Sequence, residues 1–367
     1  MKFNKYLNKE IIPEWKYFYT DYKSLKTLIK QEETQNFMTL MNSELQKVNQ
    51  FVEIIRKYDK DNEKLNNFIV MNYMAFFKAI KKYDKKLCKT CKSGFFNMMR
   101  RQSFYKFYIN TPRRCSEIKL VIFDKDGTLI NHDKLFVPWL KNVINNMKSI
   151  IPQKEDIFKH LGFISSSNKF LADSIVARGT NDDIRNSITE FILKYNNNID
   201  INTIRTYINK YWIDIDFTKE DLETYGNIVE IFNKLRSMNI KLGICTSDDR
   251  KPTEKMIKLT NIEDLIDIYV CGNDPISSKP SPEPIWKICH KLNIKPCETI
   301  MVGDTLSDLH AGINARCGKI ISVLSGGYSP QELNNADIIA KDVTEIPDIV
   351  KNINLELKKD NSNPNLL

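Results

Sequence analysis

A chain of 367 residues, 42% hydrophobic and 28% charged, is too long for one ordinary core and too apolar to stay unfolded, so two or three domains are expected. The formal charge of +9 belongs to the first third alone: residues 1–110 hold 22 Lys and Arg against 11 Asp and Glu, while the other 257 hold 33 against 35. Eight cysteines form no regular framework and no apolar run approaches a membrane span, which sets aside a disulfide scaffold and an integral membrane protein. The start Met1-Lys-Phe-Asn-Lys5 lacks the apolar core of a signal peptide, and Cys88 and Cys91 have no second pair to complete a metal site. The expectation is a soluble protein of a reducing compartment, the cytoplasm first and the nucleus as the alternative. A basic first third suggests an anionic partner for that third.

The N-terminal third is expected to be all-α. Pro13 sits where a first helical turn accepts it, and Trp15, Phe18, Tyr19, Tyr22, Leu25, Leu28 and Ile29 draw one apolar stripe. A second helix is predicted over Phe37 to Lys57 and a third over Leu65 to Leu87. Tyr22 and Lys26 share one helix face; Lys78, Lys82 and Lys85 stack on another, with Lys81 beside Lys85. Like charges at this spacing cost a few tenths of a kcal/mol per pair, so the lysine face is either simply solvated or the landing surface of a polyanion.

The segments Met1-Lys-Phe-x-Lys5, Pro13-Glu-Trp15, Asp21-Tyr-Lys-x-Leu-Lys26 and Phe77-Lys-x-Ile-Lys-Lys-Tyr-Asp-Lys85 resemble, in order, the SPX domain across residues 1–110. SPX domains are helical sensors of inositol polyphosphates and pyrophosphates that report phosphate status. The resemblance implies that Tyr22, Lys26 and Lys82 form the phosphate-binding cluster, with Lys78, Lys81 and Lys85 as its adjoining surface. It also implies a protein partner reached through this domain. The stretch after Lys30 is shorter than is usual in that family.

Thr111-Pro112 forbids helix, and residues 111–118 read as a linker. Leu120-Val-Ile-Phe123 then runs without alternation into Asp124, the pattern of a strand buried on both faces whose carboxyl end opens into a crevice. Asp126, Gly127 and Thr128 follow; two acids so close repel unless a cation or a proton intervenes. Residues 131–227 show apolar residues at helical spacing and no strand alternation, which predicts a helical insertion. From Tyr225 onward, helix and strand alternate: strands at 240–246, 268–271, 299–303 and 320–324, helices at 225–238, 253–259, 283–292 and 306–315. Such alternation predicts a parallel, doubly wound sheet with right-handed crossovers. Residues 353–367 read as a polar, disordered tail.

The polar residues at the strand ends repeat the pattern of Asp124. Thr246-Ser247 ends one strand, Asp304 follows another with Asp308 four residues on, and Lys279 stands in the loop Ser277-Ser-Lys-Pro-Ser-Pro282. Acids for Mg²⁺, a hydroxyl and a positive charge at one sheet edge are what phosphoryl transfer requires. The ordered set Asp124-x-Asp-Gly-Thr128, Thr246-Ser247, Lys279-Pro280 and Gly303-Asp304-x-x-x-Asp308 resembles the haloacid-dehalogenase-type hydrolases, with the general likeness to phosphoglycolate-phosphatase-type members. That family pairs a Rossmann-like sheet, here residues 119–130 and 228–352, with an inserted all-α cap, here 131–227. By resemblance Asp124 is the nucleophile, Asp126 the general acid and base, Thr246 a donor to the phosphoryl oxygens and Lys279 the offset to their charge. Mg²⁺ falls to Asp124, Asp304 and the Asp126 carbonyl, with Asp308 in support.

The combined expectation is a Mg²⁺-dependent phosphatase acting on a small phosphomonoester and coupled to an inositol-polyphosphate sensor. Two alternatives stand beside it: a phosphate-status adaptor that uses the hydrolase fold for binding, and a hydrolase of pyrophosphate or polyphosphate. Nucleic acid is disfavoured, because the lysines lack an interleaved arginine or glycine pattern. Arg178 reads either as a cap-borne contact for a substrate anion or as a surface arginine.

Overall fold

The computed structural model describes residues 19–31, 34–58, 68, 69, 72, 75, 76, 79, 115–151, 154–195 and 199–361. The chain divides into two compact units, Met1–Pro112 and Arg113–Leu367. Among the described residues no helix is long and apolar enough to cross a membrane.

In the first unit, α1 (Tyr22–Lys30) packs on α2 (Thr34–Tyr58). The described part of the stripe, Tyr19 to Ile29, is not one helix, because Asp21 caps α1. Its carboxylate accepts from Ser24 N at 3.0 Å and Ser24 Oγ at 2.6 Å, and a cap residue must leave helical geometry to do so. Thr20 is held outside the helix by two 2.7 Å bonds, from its N and Oγ1, to buried Asn72 Oδ1. Helix α2 lies where it is predicted and buries Phe37, Met41, Leu45, Val48, Phe51 and Val52. Residues 68, 69, 72, 75, 76 and 79 are helical and buried, and Phe68 meets the rings of Tyr19 and Phe51 at 4.7 and 4.9 Å.

The second unit begins with β1 (Leu120–Phe123) and enters the insertion: α3 (His132–Asn146), α4 (Lys154–His160), β2 (Phe163–Ile164), β3 (Lys169–Phe170), α5 (Ile175–Arg178), α6 (Asn181–Tyr195) and α7 (Ile201–Tyr211). It returns through α8 (Ile228–Ser237), β4 (Lys241–Cys245), α9 (Arg250–Leu259), β5 (Ile268–Val270), α10 (Glu283–Leu292), β6 (Thr299–Gly303) and α11 (Leu306–Ala315). It closes with β7 (Lys319–Val323), β8 (Ile338–Ala340) and α12 (Ile346–Asn361). The insertion is helical as expected, with one short antiparallel hairpin, β2–β3, added.

The six-stranded sheet has the order β5-β4-β1-β6-β7-β8, every pair parallel. Side chains alternate between its faces. Leu120, Ile122 and Met301 join Ile285 and Ile288 of α10 and Leu309 of α11, while Val121, Phe123 and Val302 join Phe232 of α8 and Val350 of α12. Both faces are covered, which is why the strands read as unbroken apolar runs. The order reverses at β1, and the register sets Phe123 level with Ile244 and Val302. The residues that follow these strands therefore meet at the switch-point crevice.

The tail differs from the sequence reading. Residues 353–361 belong to α12, which buries Ile346, Val350 and Ile353. Asn354 also brackets β1's approach, accepting from Ile118 N at 2.7 Å and donating to Ile118 O at 3.2 Å.

Candidate active site

Asp124 leaves β1 with its N–H still in the sheet, donating to Val302 O at 2.8 Å, and the chain then turns back on itself: Gly127 N donates to Ile130 O and Ile130 N to Lys125 O. Gly127 makes the turn at φ +81°, in the left-handed region. The loop brings Thr128 Oγ1 to Asp304 Oδ1 at 2.6 Å. Asp304 is packed so closely that a Cβ on Gly127 or Gly326 would lie 2.3 or 1.8 Å from its Oδ2. Both glycines form a cradle for this one carboxylate.

Asp308 sits in the first turn of α11. Its Oδ2 closes a capping box with Thr305, accepting from Thr305 N at 3.0 Å and Oγ1 at 2.6 Å. Its Oδ1 accepts from Lys279 Nζ, which also donates to Asp124 Oδ1. Thr246, at the end of β4, is buried, and its Oγ1 accepts from Asp248 N at 3.1 Å.

Asp124, Asp304 and Asp308 are all buried, with carboxylate oxygens within 4.8 Å of one another. Among the described residues Lys279 is the cation in direct contact with this cluster, and it reaches Asp124 and Asp308. Burial, reinforced by Asp308 and Asp126 against the pull of Lys279, pushes Asp124 up to about 7. Burial and the neighbouring Asp124 and Asp308 carry Asp304 well above the carboxylate range. Lys279 stays above its ordinary value because the two carboxylates outweigh its own desolvation. Three buried acids against one lysine are under-neutralised, and hard oxygen donors in this number suit a divalent cation such as Mg²⁺. Asp308 spends both oxygens on Lys279 and Thr305, so the residues left to ligate are Asp124 and Asp304. Asp126 is outside this acidic cluster.

A pocket open to solvent faces the cluster. Asp124, Asp126, Thr246 and Lys279 line it together, with Val176, Ala177, Gly179, Asn181 and Ile184 contributed by the insertion. Asn181 Nδ2 ties the insertion to the sheet side through Asp249 Oδ2 at 2.7 Å.

Three residues here escaped the sequence reading. Lys125 is 1% exposed and donates to Asp126 Oδ1 at 2.7 Å, with Asp248 Oδ2 at 2.9 Å. Burial opposes its charge, but the two acids raise it above the ordinary lysine value. Asp248 rises to about 6, through burial and Asp126 against the pull of Lys125. His132, at the start of α3, lines the pocket. A lysine between two motif acids, and an acid two residues beyond Thr246, are visible in the chain, but neither stands at a strand tip.

Of the predicted anion-binding residues, Tyr22 is buried and Lys26 partly exposed on α1. Lys78, Lys81, Lys82 and Lys85 lie outside the described residues, as does the Arg178 side chain.

Residues 121–321 match the model described as haloacid dehalogenase-like hydrolase, and residues 1–35 match the SPX domain. The SPX match stops short of the lysines at 78 to 85. A pyrophosphatase PpaX from Bacillus mycoides (strain KBAB4) is 28% identical over 240 residues, 65% of this chain and 99% of that protein. Another from Bacillus cereus (strain Q1) is 30% identical over 200 residues, 54% of this chain and 80% of that one. Among solved structures, a predicted phosphoglycolate phosphatase from Haemophilus somnus 129PT aligns at 19% identity with a TM-score of 0.48, covering 63% of this chain and 97% of that one.

Proposed function

The chain belongs to the haloacid dehalogenase-like hydrolase family, and from that premise we propose that it is a Mg²⁺-dependent phosphatase that hydrolyses a small phosphoryl compound through an aspartyl-phosphate on Asp124. The observation that carries this reading is the convergence of Asp124, Asp126, Thr246 and Lys279 on one pocket beside a buried acidic cluster.

With Oδ1 of Asp124 held by Lys279, Oδ2 attacks phosphorus and the bond to the leaving oxygen breaks. Asp126 gives that oxygen its proton, then takes one from the water that cleaves the acyl phosphate, so phosphate leaves and both acids are restored. Lys125 fixes Oδ1 of Asp126, leaving the other oxygen for proton transfer. The Thr246 hydroxyl, which accepts from Asp248 N, keeps its own hydrogen to donate to the phosphoryl oxygens. Mg²⁺, held by Asp124, Asp304 and the Asp126 carbonyl, would offset the charge gathered between phosphoryl group and carboxylates.

The sequence favours a phosphomonoester as substrate, and the relatives named pyrophosphatase favour inorganic pyrophosphate. We rank pyrophosphate first, because those matches extend over nearly the whole of the relative in the first case and four fifths in the second. In the same reading the SPX domain senses inositol polyphosphates through Tyr22, Lys26, Lys78, Lys81, Lys82 and Lys85 and thereby changes the enzyme's activity or its partners.

The experiment is phosphate release from pyrophosphate and a panel of small phosphomonoesters with Mg²⁺, for wild type and Asp124→Asn, each repeated with inositol hexakisphosphate. Release that disappears in Asp124→Asn supports the enzyme reading and ranks the substrates. Equal release with and without inositol hexakisphosphate, together with no change in partner binding, overturns the sensor reading.

A further inference from the structure

Resting on that reading, we propose that His132 is a substrate-contacting residue whose Nε2–H donates to the second phosphoryl group of a diphosphate, making the site selective for a phosphate leaving group. His132 is 6% exposed and lines the pocket that holds Asp124 and Asp126. Its Nε2 is buried and makes no hydrogen bond. Asp133 Oδ1 stands 3.5 Å away, too far for one, and already accepts from Phe170 N at 3.0 Å. A buried ring nitrogen left without a partner costs about 1–3 kcal/mol, so it calls for a partner that arrives with the ligand.

Among the described lining residues, the two side-chain nitrogen donors besides His132 are committed, and the Thr246 and Ser247 hydroxyls stand at the end of β4, beside the reacting phosphoryl group. Lys279 bonds Asp124 and Asp308, and Asn181 Nδ2 bonds Asp249. The insertion's other described lining residues are apolar groups, a glycine and Asn181, so on the insertion side a second phosphoryl group meets His132 Nε2 as its donor. Neighbouring rings fix the imidazole in this position. It stacks on Phe170 of the hairpin at 6.0 Å with planes 30° apart, and lies 6.2 Å from Phe136 one turn along α3. Burial holds the imidazole below its ordinary value against the opposing pull of Asp133, which agrees with a neutral donor.

The test compares full-length wild type, His132→Ala and His132→Gln with Mg²⁺ on pyrophosphate and on p-nitrophenyl phosphate, whose leaving group has no second phosphate. The expected result is a fall in the ratio of kcat/KM for pyrophosphate to that for p-nitrophenyl phosphate of roughly 10- to 100-fold in His132→Ala, the worth of a hydrogen bond to a charged group. Gln places an N–H near the lost Nε2 and is expected to recover part of the ratio. Equal losses on both substrates would assign His132 a packing role and overturn the proposal, as would an unchanged ratio. Imidodiphosphate and orthophosphate binding to the same three proteins separates this from the enzyme reading. If wild type turns over nothing, yet His132→Ala weakens imidodiphosphate binding and spares orthophosphate, the hydrolase reading fails and the His132 contact stands. If wild type hydrolyses monoesters but neither cleaves pyrophosphate nor binds imidodiphosphate, the contact is refuted and the hydrolase reading survives.

Discussion

Replacing Gly326 by alanine tests the geometry of the acidic cluster with a single methyl group. Gly326 does not occupy the left-handed region, so alanine brings no backbone strain; the perturbation is steric alone. The new Cβ would lie 1.8 Å from Asp304 Oδ2 and 2.5 Å from its Cγ. Ordinary contact requires the carboxylate to retreat by about 1.5 Å, since carbon and oxygen gain nothing closer than about 3.4 Å. That retreat stretches the 2.6 Å bond from Thr128 and withdraws one of the two acids available to Mg²⁺. A misplacement near 1 Å costs about 10²-fold in rate, roughly 2.7 kcal/mol of barrier. The assay is phosphate release as a function of Mg²⁺ at constant substrate. The expected variant is folded, needs far more Mg²⁺ for half-maximal rate and turns over about 100-fold more slowly at saturation. Wild-type turnover with wild-type Mg²⁺ dependence would refute the placement of Asp304.

Three further outcomes follow from the same cluster. Lys279→Met leaves Asp124 and Asp308 without their buried counter-charge and is expected to cost about 3–5 kcal/mol of stability in chelator, read by thermal melting; an unchanged melt contradicts the pairing. Asp304→Asn removes one of the repelling acids, so it should melt higher than wild type in chelator while losing activity and the Mg²⁺-induced shift; a lower melt would show that repulsion is not the dominant force there. In the metal-free protein Asp124 titrates near 7 rather than 3.8. Between those values the folded state holds more protons than the unfolded one, so this contribution to stability is lost as pH rises from about 4 to 7. Mg²⁺ at about 100 times its Kd adds roughly 2.7 kcal/mol, several degrees, and the shift should be larger at pH 8 than at pH 5.5; the reverse order would contradict the assignment.

Much of this architecture is legible in the chain because buried parallel strands write themselves as apolar runs. Leu120 to Phe123 and Thr299 to Gly303 end in acids, and an acid at the tip of a buried strand has few structural reasons to be there. Lys125 and Asp248 were less legible, because a lysine reads as solvated until tertiary contacts surround it. His132 gave no periodic signal, since its importance depends on the hairpin that folds Phe170 over it. Strands β2, β3 and β8, two or three residues each, are too short for any period to register. Helix α12 did carry a signal, Ile346, Val350, Ile353 and Leu357 at helical spacing, which the surrounding Lys, Asp and Asn obscured. In the first unit, apolar spacing alone could not show that Asp21 turns its side chain onto Ser24 and starts the helix there.

The aspartyl-phosphate itself can be sought by trapping the enzyme during turnover of pyrophosphate with Mg²⁺, reducing the acyl phosphate with borohydride and locating the modified residue by peptide mass. Asp124, and no other acid, is expected to be converted, and only when substrate is present. Sustained phosphate release by Asp124→Asn, or modification at a different carboxylate, would contradict the assignment of the nucleophile.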